Sequence, residues 1–182
     1  MEQLIWAKTI LSVYKHLERA TYAIDGVVTK LSLIPELSVN ELTTKIINLT
    51  DRKVNLINLK LIVEQLLSKC SSKHIRVLSL KYVQELSASE IAEVMNLNAR
   101  TIFRLQNSAL QQFTENMKSS GFNANYLFNH LKKEKWILSQ FSKEYIKSRI
   151  IDEKIDAQKK KVKLPDCSKN NFLINQFRKS LS

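Results

Sequence analysis

Arg100 and Arg104 stand one helical turn apart in this chain of 182 residues, and their side chains carry its clearest recognition chemistry. A guanidinium offers a planar fork of donors that can bond both acceptors on the major-groove edge of guanine. Asn107, three residues further on, has the amide that pairs in the same two-pronged way with adenine. Thr101 offers a hydroxyl for a phosphate oxygen or a methyl for thymine. Upstream, Ser87 and Ser89 open a short amphipathic segment, where hydroxyls and exposed main-chain amides can grip a phosphate together. Each residue also has a plainer role. An arginine on a helix face is commonly just solvated, an asparagine there is ordinary polar surface, and a serine at such a position caps the helix. The reading chemistry therefore depends on elements that turn these side chains outward together.

Those elements lie between Ser72 and Met117, in three amphipathic segments joined by short breaks. In the first, Ile75, Leu78 and Tyr82 recur at helical spacing, with Val77, Leu80 and Val83 widening the apolar face. Ser87 and Glu90 form an S-x-x-E capping box, in which hydroxyl and carboxylate each satisfy an orphan amide of a starting helix. The helix that follows is short, with Ile91, Ala92, Val94 and Met95 on its apolar side. Leu97 ends it and is expected to plug the core beneath the turn. Asn98 is a good N-cap for a third helix, whose core positions are Ile102, Leu105 or Gln106, Ala109, Leu110 and Phe113. A short helix, a tight turn and a longer helix make a helix-turn-helix, whose second helix can enter the major groove of DNA.

The string L-x-L-x-Y-x-x-x-L-S-x-x-E-I-A-E-x-x-x-L-x-x-R-T-I-x-R-x-x-x-x-A-L-x-x-F resembles region four of bacterial sigma factors and sigma-like phage regulators. Its most specific part is the joint spacing of Glu90-Ile91-Ala92-Glu93, Thr101-Ile102 and Ala109-Leu110, and it covers about a quarter of the chain. The resemblance implies binding to a promoter −35 element or a comparable duplex site, with RNA polymerase as a further partner. Three departures stand out. Between Asn98 and Phe113 only Arg100 and Arg104 are charged, Phe103 and Leu105 occupy places where the family carries basic or small polar residues, and Gln106 replaces an aliphatic. The basic, aromatic helix pair with which a complete sigma factor opens the −10 element is not visible either. The first 70 residues contain no aromatics besides Trp6, Tyr14 and Tyr22. The expected function is thus that of a stand-alone, sequence-specific DNA-binding regulator of transcription. A divergent sigma factor, or an interaction module that turns the same fold toward a sigma or polymerase partner, is the alternative.

The formal charge of +12 implies attraction to a polyanion. It is unevenly spread, with 15 Lys and Arg against 11 Asp and Glu in residues 1–131, and 14 against 6 in residues 132–182. A reader helix with few charges followed by a strongly basic tail suggests that the helix chooses the site while the tail adds salt-sensitive affinity. Only two glycines and two prolines interrupt the chain, and no segment alternates apolar and polar residues between turn signals. The fold class expected is all-α. Cys70 and Cys167 lie far apart, and His16, His74 and His130 are scattered. No zinc spacing, disulfide framework or catalytic pair can be assembled from them, so neither metal nor cofactor is expected. A Gly-rich phosphate loop is missing, and the protein is not expected to be an enzyme. No signal peptide and no apolar run of about 18 residues is found, which suggests a cytoplasmic, nucleoid-associated protein with no membrane partner.

In chain order, a helix is expected over about Glu2–Ile24, on the stripe Leu4, Ile5, Leu11, Tyr14, Leu17 and Ile24, with Gly26 as its stop or kink. Val27–Ile34 reads as either a strand or a further helical turn before Pro35. Ser38 and Glu41 form a second capping box and open a long apolar-periodic segment to about Lys69, which the polar Asp51-Arg52-Lys53 could split. After the reader helix, Gly121 marks a loop. The aromatic stretch Phe122–Phe141, with Lys132, Lys133 and Lys135, resembles a stacking surface for single strands. A helical hairpin anchored by Trp136, with packing extended by Ile146, Ile150 and Ile151, is the favoured reading. Four regions result: an N-terminal helical packing region (1–70), the helix-turn-helix (71–118), an aromatic helical extension (119–156) and a basic flexible tail (157–182), in which Phe172, Leu173, Ile174 and Phe177 suggest a docking helix.

Overall fold

A computed structural model describes residues 2–31, 33 and 38–161. Among them every regular element is helical, as the composition suggested. The chain forms α1 (Glu2–Leu31), α2 (Val39–Ser68), α3 (Ser72–Leu78) running on into a π-helical turn (Ser79–Val83), α4 (Ala88–Met95), α5 (Ala99–Ser119), α6 (Ala124–Leu131) and α7 (Lys135–Lys161). It divides into two compact units, Met1–Tyr145 and Ile146–Ser182. The core described here belongs to the first.

That core is built around α1. Ile5, Trp6, Ala7, Thr9, Ile10, Leu11 and Val13 are all buried, a run too continuous for a helix with one free face. Such a helix must be covered on several sides, and α1 packs against α2, α5, the π-helical turn and α6. The buried Thr9 hydroxyl donates to the Ile5 carbonyl one turn back, which satisfies it without a partner from another helix. Further along, only Leu17 and Ile24 remain buried, and they meet Leu56, Leu59 and Val63 of α2 in an antiparallel pair. Trp6 packs on Phe141 with ring centroids 4.5 Å apart, so the aromatic extension is fastened to the first helix. Leu127, Leu131 and Ile137 are buried, and Tyr126 and Trp136 pack partly buried on the same core, in keeping with a helical hairpin rather than an open stacking surface.

Several expectations about boundaries are corrected. Gly26 neither stops nor kinks α1, which continues as helix to Leu31; Gly26 is exposed there, and the packing of α1 on α2 outweighs its propensity cost of about 1 kcal/mol. Asp51-Arg52-Lys53 does not split the second segment, because both cations find partners across the bundle. Lys53 reaches Asp25 of α1 at 2.6 Å. Arg52 donates through Nε and Nη2 to both oxygens of Glu134, at 2.7 and 3.1 Å. Ile146, Ile150 and Ile151 are exposed, so they do not widen a buried face. The flexible tail expected from residue 157 begins as helix, since α7 runs to Lys161. Pro35, Cys167, the rest of the basic tail and the suggested docking segment at Phe172–Phe177 lie outside the described residues.

Helix ends follow the capping chemistry. Ser38 with Glu41 and Ser87 with Glu90 form complete capping boxes at α2 and α4. Asn98 accepts from the Thr101 amide at 2.7 Å and Asn123 from the Tyr126 amide at 2.9 Å, opening α5 and α6. Gly121, at φ +80°, closes α5 in a Schellman motif: its amide bonds the Lys118 carbonyl and that of Phe122 the Met117 carbonyl. Phe122 is thereby turned back onto the core.

Two predictions follow from these fastenings. Glu134 is almost wholly buried and also accepts from Trp136 Nε1 at 3.1 Å. Glu134→Gln leaves the Arg52 guanidinium without its counter-charge. Because the Arg52 side chain keeps 37% exposure, water offsets part of the loss, and urea unfolding should show a destabilisation of about 1–3 kcal/mol. The second concerns pH. Hydrogen bonds from the Ser87 hydroxyl and main-chain amide hold the Glu90 carboxyl below the usual carboxylate range. A carboxyl depressed in the folded state stabilises above its unfolded value, about 4.3, and loses that contribution as pH falls through the lower folded value. The start of α4 should therefore fray on acidification below about pH 4, read as a lower protection of the Ser87 amide relative to an unfolded chain at the same pH, and Ser87→Ala should show the same loss of protection at neutral pH.

Candidate nucleic-acid interface

The candidate interface is built on α5, which is amphipathic along its whole length. Ile102, Ala109, Leu110, Phe113, Thr114 and Met117 are buried and face α1 and α3. Leu105 and Gln106, offered as alternatives for one core position, are both half-buried, and Leu105 packs on the core. Gln106 Nε2 is buried with no hydrogen-bond partner among the described residues, which is the local consequence of an amide where an aliphatic would fit. Two polar contacts fix the roll of α5 about its axis. His74 Nδ1 of α3 contacts Gln112 Oε1 at 2.5 Å, and Asn116 Nδ2 donates to the Leu66 carbonyl of α2 at 3.3 Å.

With that face covered, the opposite one is free. Arg100, Phe103, Arg104 and Asn107 are exposed, as are Ser108 and Gln111. Helical spacing of three and four puts them on a continuous outer stripe. The structure thus brings Arg100, Arg104 and Asn107 together. Ser108 and Gln111 were missed in the sequence, although the same spacing from Arg104 and Asn107 would have found them. Exposed Glu115 comes next along the stripe, so its anion-tolerant part is confined to the first three turns.

The remaining candidates are partly engaged. The Thr101 hydroxyl donates to Asn98 Oδ1 at 2.8 Å, so it belongs to the N-cap of α5 and keeps only its lone pairs free. Ser87 and Ser89 are exposed at the start of α4, with their hydroxyls 3.0 Å apart, and Ser87 Oγ also accepts the Glu90 amide. Leu97 is not the plug expected beneath the turn. Asn96 ends α4 in the left-handed region (φ 52°), the amides of Asn96 and Leu97 turn back to Glu93 and Ala92, and Leu97 is left 41% exposed. Ile91 and Ile102, both fully buried, lie at the α4–α5 contact instead.

The loop ahead of α4 is fastened from outside the helix-turn-helix. Glu85 holds a left-handed backbone (φ 57°), uncommon for a residue with a side chain, and meets Lys15 of α1 at 2.5 Å. That lysine, by hydrogen bond and by charge, keeps the Glu85 carboxyl below its ordinary range. Among the described residues no group of three or more His, Cys, Asp and Glu side chains could hold a metal ion. No described helix is long and apolar enough to cross a membrane.

The model of the ECF sigma factor family matches residues 30–119, from the last two residues of α1 to the end of α5. Comparison with curated proteins and with solved structures gave no match. The family match includes the helix-turn-helix and α2, and the all-helical fold agrees with it. The chain is a sigma-70-like protein with a sigma-like, transcription-related role.

Proposed function

We propose that the protein binds a specific duplex DNA site by laying α5 in the major groove and thereby regulates transcription, with RNA polymerase as a further partner. The observation that carries this reading is the outward stripe of Arg100, Arg104 and Asn107 on a helix whose opposite face is buried. Residues in the first turns of such a helix come nearest the base edges. Arg100 and Arg104 would read guanine, and Asn107 adenine. Thr101, Ser87 and Ser89 would touch the backbone, where contacts set register without reading sequence. The basic C-terminal region would supply affinity that does not depend on sequence.

A second reading has one specific observation behind it. Phe103 is 57% exposed in the middle of the stripe, where an aromatic ring suits a protein surface at least as well as a base edge. On that reading the same face contacts a sigma or polymerase partner. Retention of such a partner by the protein from nuclease-treated extract, lost in Phe103→Ala, would favour it.

Under the DNA-binding reading, Arg100→Ala and Arg104→Ala should each relax site preference by about 1–3 kcal/mol in competition binding to matched and mismatched duplexes. Variants that discriminate between sites as the unaltered protein does would remove the assignment of these arginines. Truncation after Asp156 should instead weaken binding to all duplexes alike and flatten the dependence of affinity on salt. A salt slope unchanged by the truncation would assign the electrostatic affinity elsewhere.

A further inference from the structure

We propose that two adjoining depressions between α2 and α6 form a nucleotide site, one half taking the base and the other the phosphate. The first is a cavity of about 180 Å³ whose apolar walls are Leu59 and Ile62 of α2 and Leu127 and Leu131 of α6, with Tyr126 and Asn58 at its edge. The second, of about 300 Å³, is bounded by Asn129, Lys132, Lys133 and Asp51. Asn55 and His130 line both, so the two halves lie side by side. An apolar half joined to a cationic half suits a ligand with a flat ring at one end and phosphate at the other.

The polar groups are available for a ligand. The side chains of Asn55, Asn58, Asn129, Lys132 and Lys133 have no hydrogen-bond or ion-pair partner among the described residues. Three amides and two ammonium groups around one depression supply the donors that base edges and phosphate oxygens require. The histidine is oriented as well. Its Nδ1 lies 2.8 Å from the Tyr126 carbonyl, which can only accept, so Nδ1 carries a proton and Nε2 is the nitrogen left for a ligand. The His130 ring stacks on Tyr126 at 4.0 Å, and Tyr126 in turn meets the edge of Phe122 at 5.4 Å. Tyr126 and Phe122 pack partly buried on the core and so hold the exposed His130 ring in place at the edge of the cavity. Asp51, an acceptor only, repels phosphate but suits the hydroxyls of a sugar.

The cationic lip is held before any ligand arrives. Lys132 and Lys133 form the turn directly before Glu134, whose bonds to Arg52 and Trp136 fix that turn against α2. The site is also remote from the reading stripe. Arg100 lies in the first turn of α5 and α6 follows its end, and a helix of 21 residues spans about 30 Å. The family match ends at residue 119, before α6 begins. The proposal does not rest on DNA reading by α5 and can hold or fail independently of it.

The test uses the full chain with ¹³C-labelled histidine and four probes: adenosine 5′-diphosphate, pyrophosphate, a short single-stranded oligonucleotide and a short duplex. Saturable shifts of the His130 ring signals on adding the diphosphate, with pyrophosphate at least tenfold weaker, are expected for a free nucleotide. Shifts with the single strand alone would still assign the site to a nucleotide, one carried in a strand. The double variant Lys132→Ala/Lys133→Ala alters only exposed side chains, so its thermal unfolding should match that of the unaltered protein while affinity falls at least tenfold. Three results overturn the proposal: no His130 shift with any probe at millimolar concentration, pyrophosphate binding as tightly as the diphosphate, or a shift produced only by the duplex. Affinity unchanged in the lysine variant overturns it too.

Discussion

Burial of the first half of α1 on several sides at once is the constraint that organises this protein. A run such as Ile5–Val13, apolar nearly all round, cannot be stable on a surface. It has to be enclosed, and α2, α5, the π-helical turn and α6 do so together. A helix-turn-helix of fewer than fifty residues buries too little surface to be robust alone. Here it gains its core by closing over a helix that lies well before it in sequence. Trp6, Leu17, Ile102 and Phe113 belong to one continuous apolar cluster, so the reading element and the N-terminal hairpin share their stability.

Polar contacts set the register of this packing more than its strength. Lys15–Glu85, Lys53–Asp25 and Lys60–Glu18 keep much of their exposure, and pairs of that kind contribute little each. They join α1 to α2 and to the loop before α4, so they distinguish one alignment of the helices from its neighbours. The Tyr14 hydroxyl donates to Glu64 at 2.8 Å in the same way, its pKa pushed up to about 12, mainly by burial and then by that carboxylate. Arg52–Glu134 differs, because its carboxylate is almost wholly buried and its removal leaves an unmatched charge. It ties α2 to the turn between α6 and α7.

The recognition stripe follows from these constraints. Once Ile102, Ala109 and Phe113 face inward, the residues three and four positions from Arg100 must face outward. No further design is needed to present them. The stripe is nevertheless mixed, with an exposed Phe103 among polar groups and Glu115 at its far end. It is better suited to selecting a partner than to holding it by charge, and most of the chain's positive excess lies beyond residue 131.

The sequence by itself determined the all-helical class, the helix starts at Ser38, Ser87 and Asn98, and the order of short and long helices around the turn. These are local matters, settled by capping groups and by apolar periods within about ten residues. It also determined which α5 residues form one face, since spacing alone does that. Only the tertiary structure decided that α1 continues through Gly26, that Asp51-Arg52-Lys53 leaves α2 intact and that Leu97 is exposed. The first two turn on a neighbour distant in sequence, the α2 partner that offsets a glycine and Asp25 and Glu134 for the two cations, and the third on the left-handed Asn96 and on the Ile91 and Ile102 contact made only when α4 packs on α5. The paired depressions at α2 and α6 were illegible for the same reason, because residues 55 and 130 become neighbours only when the bundle closes.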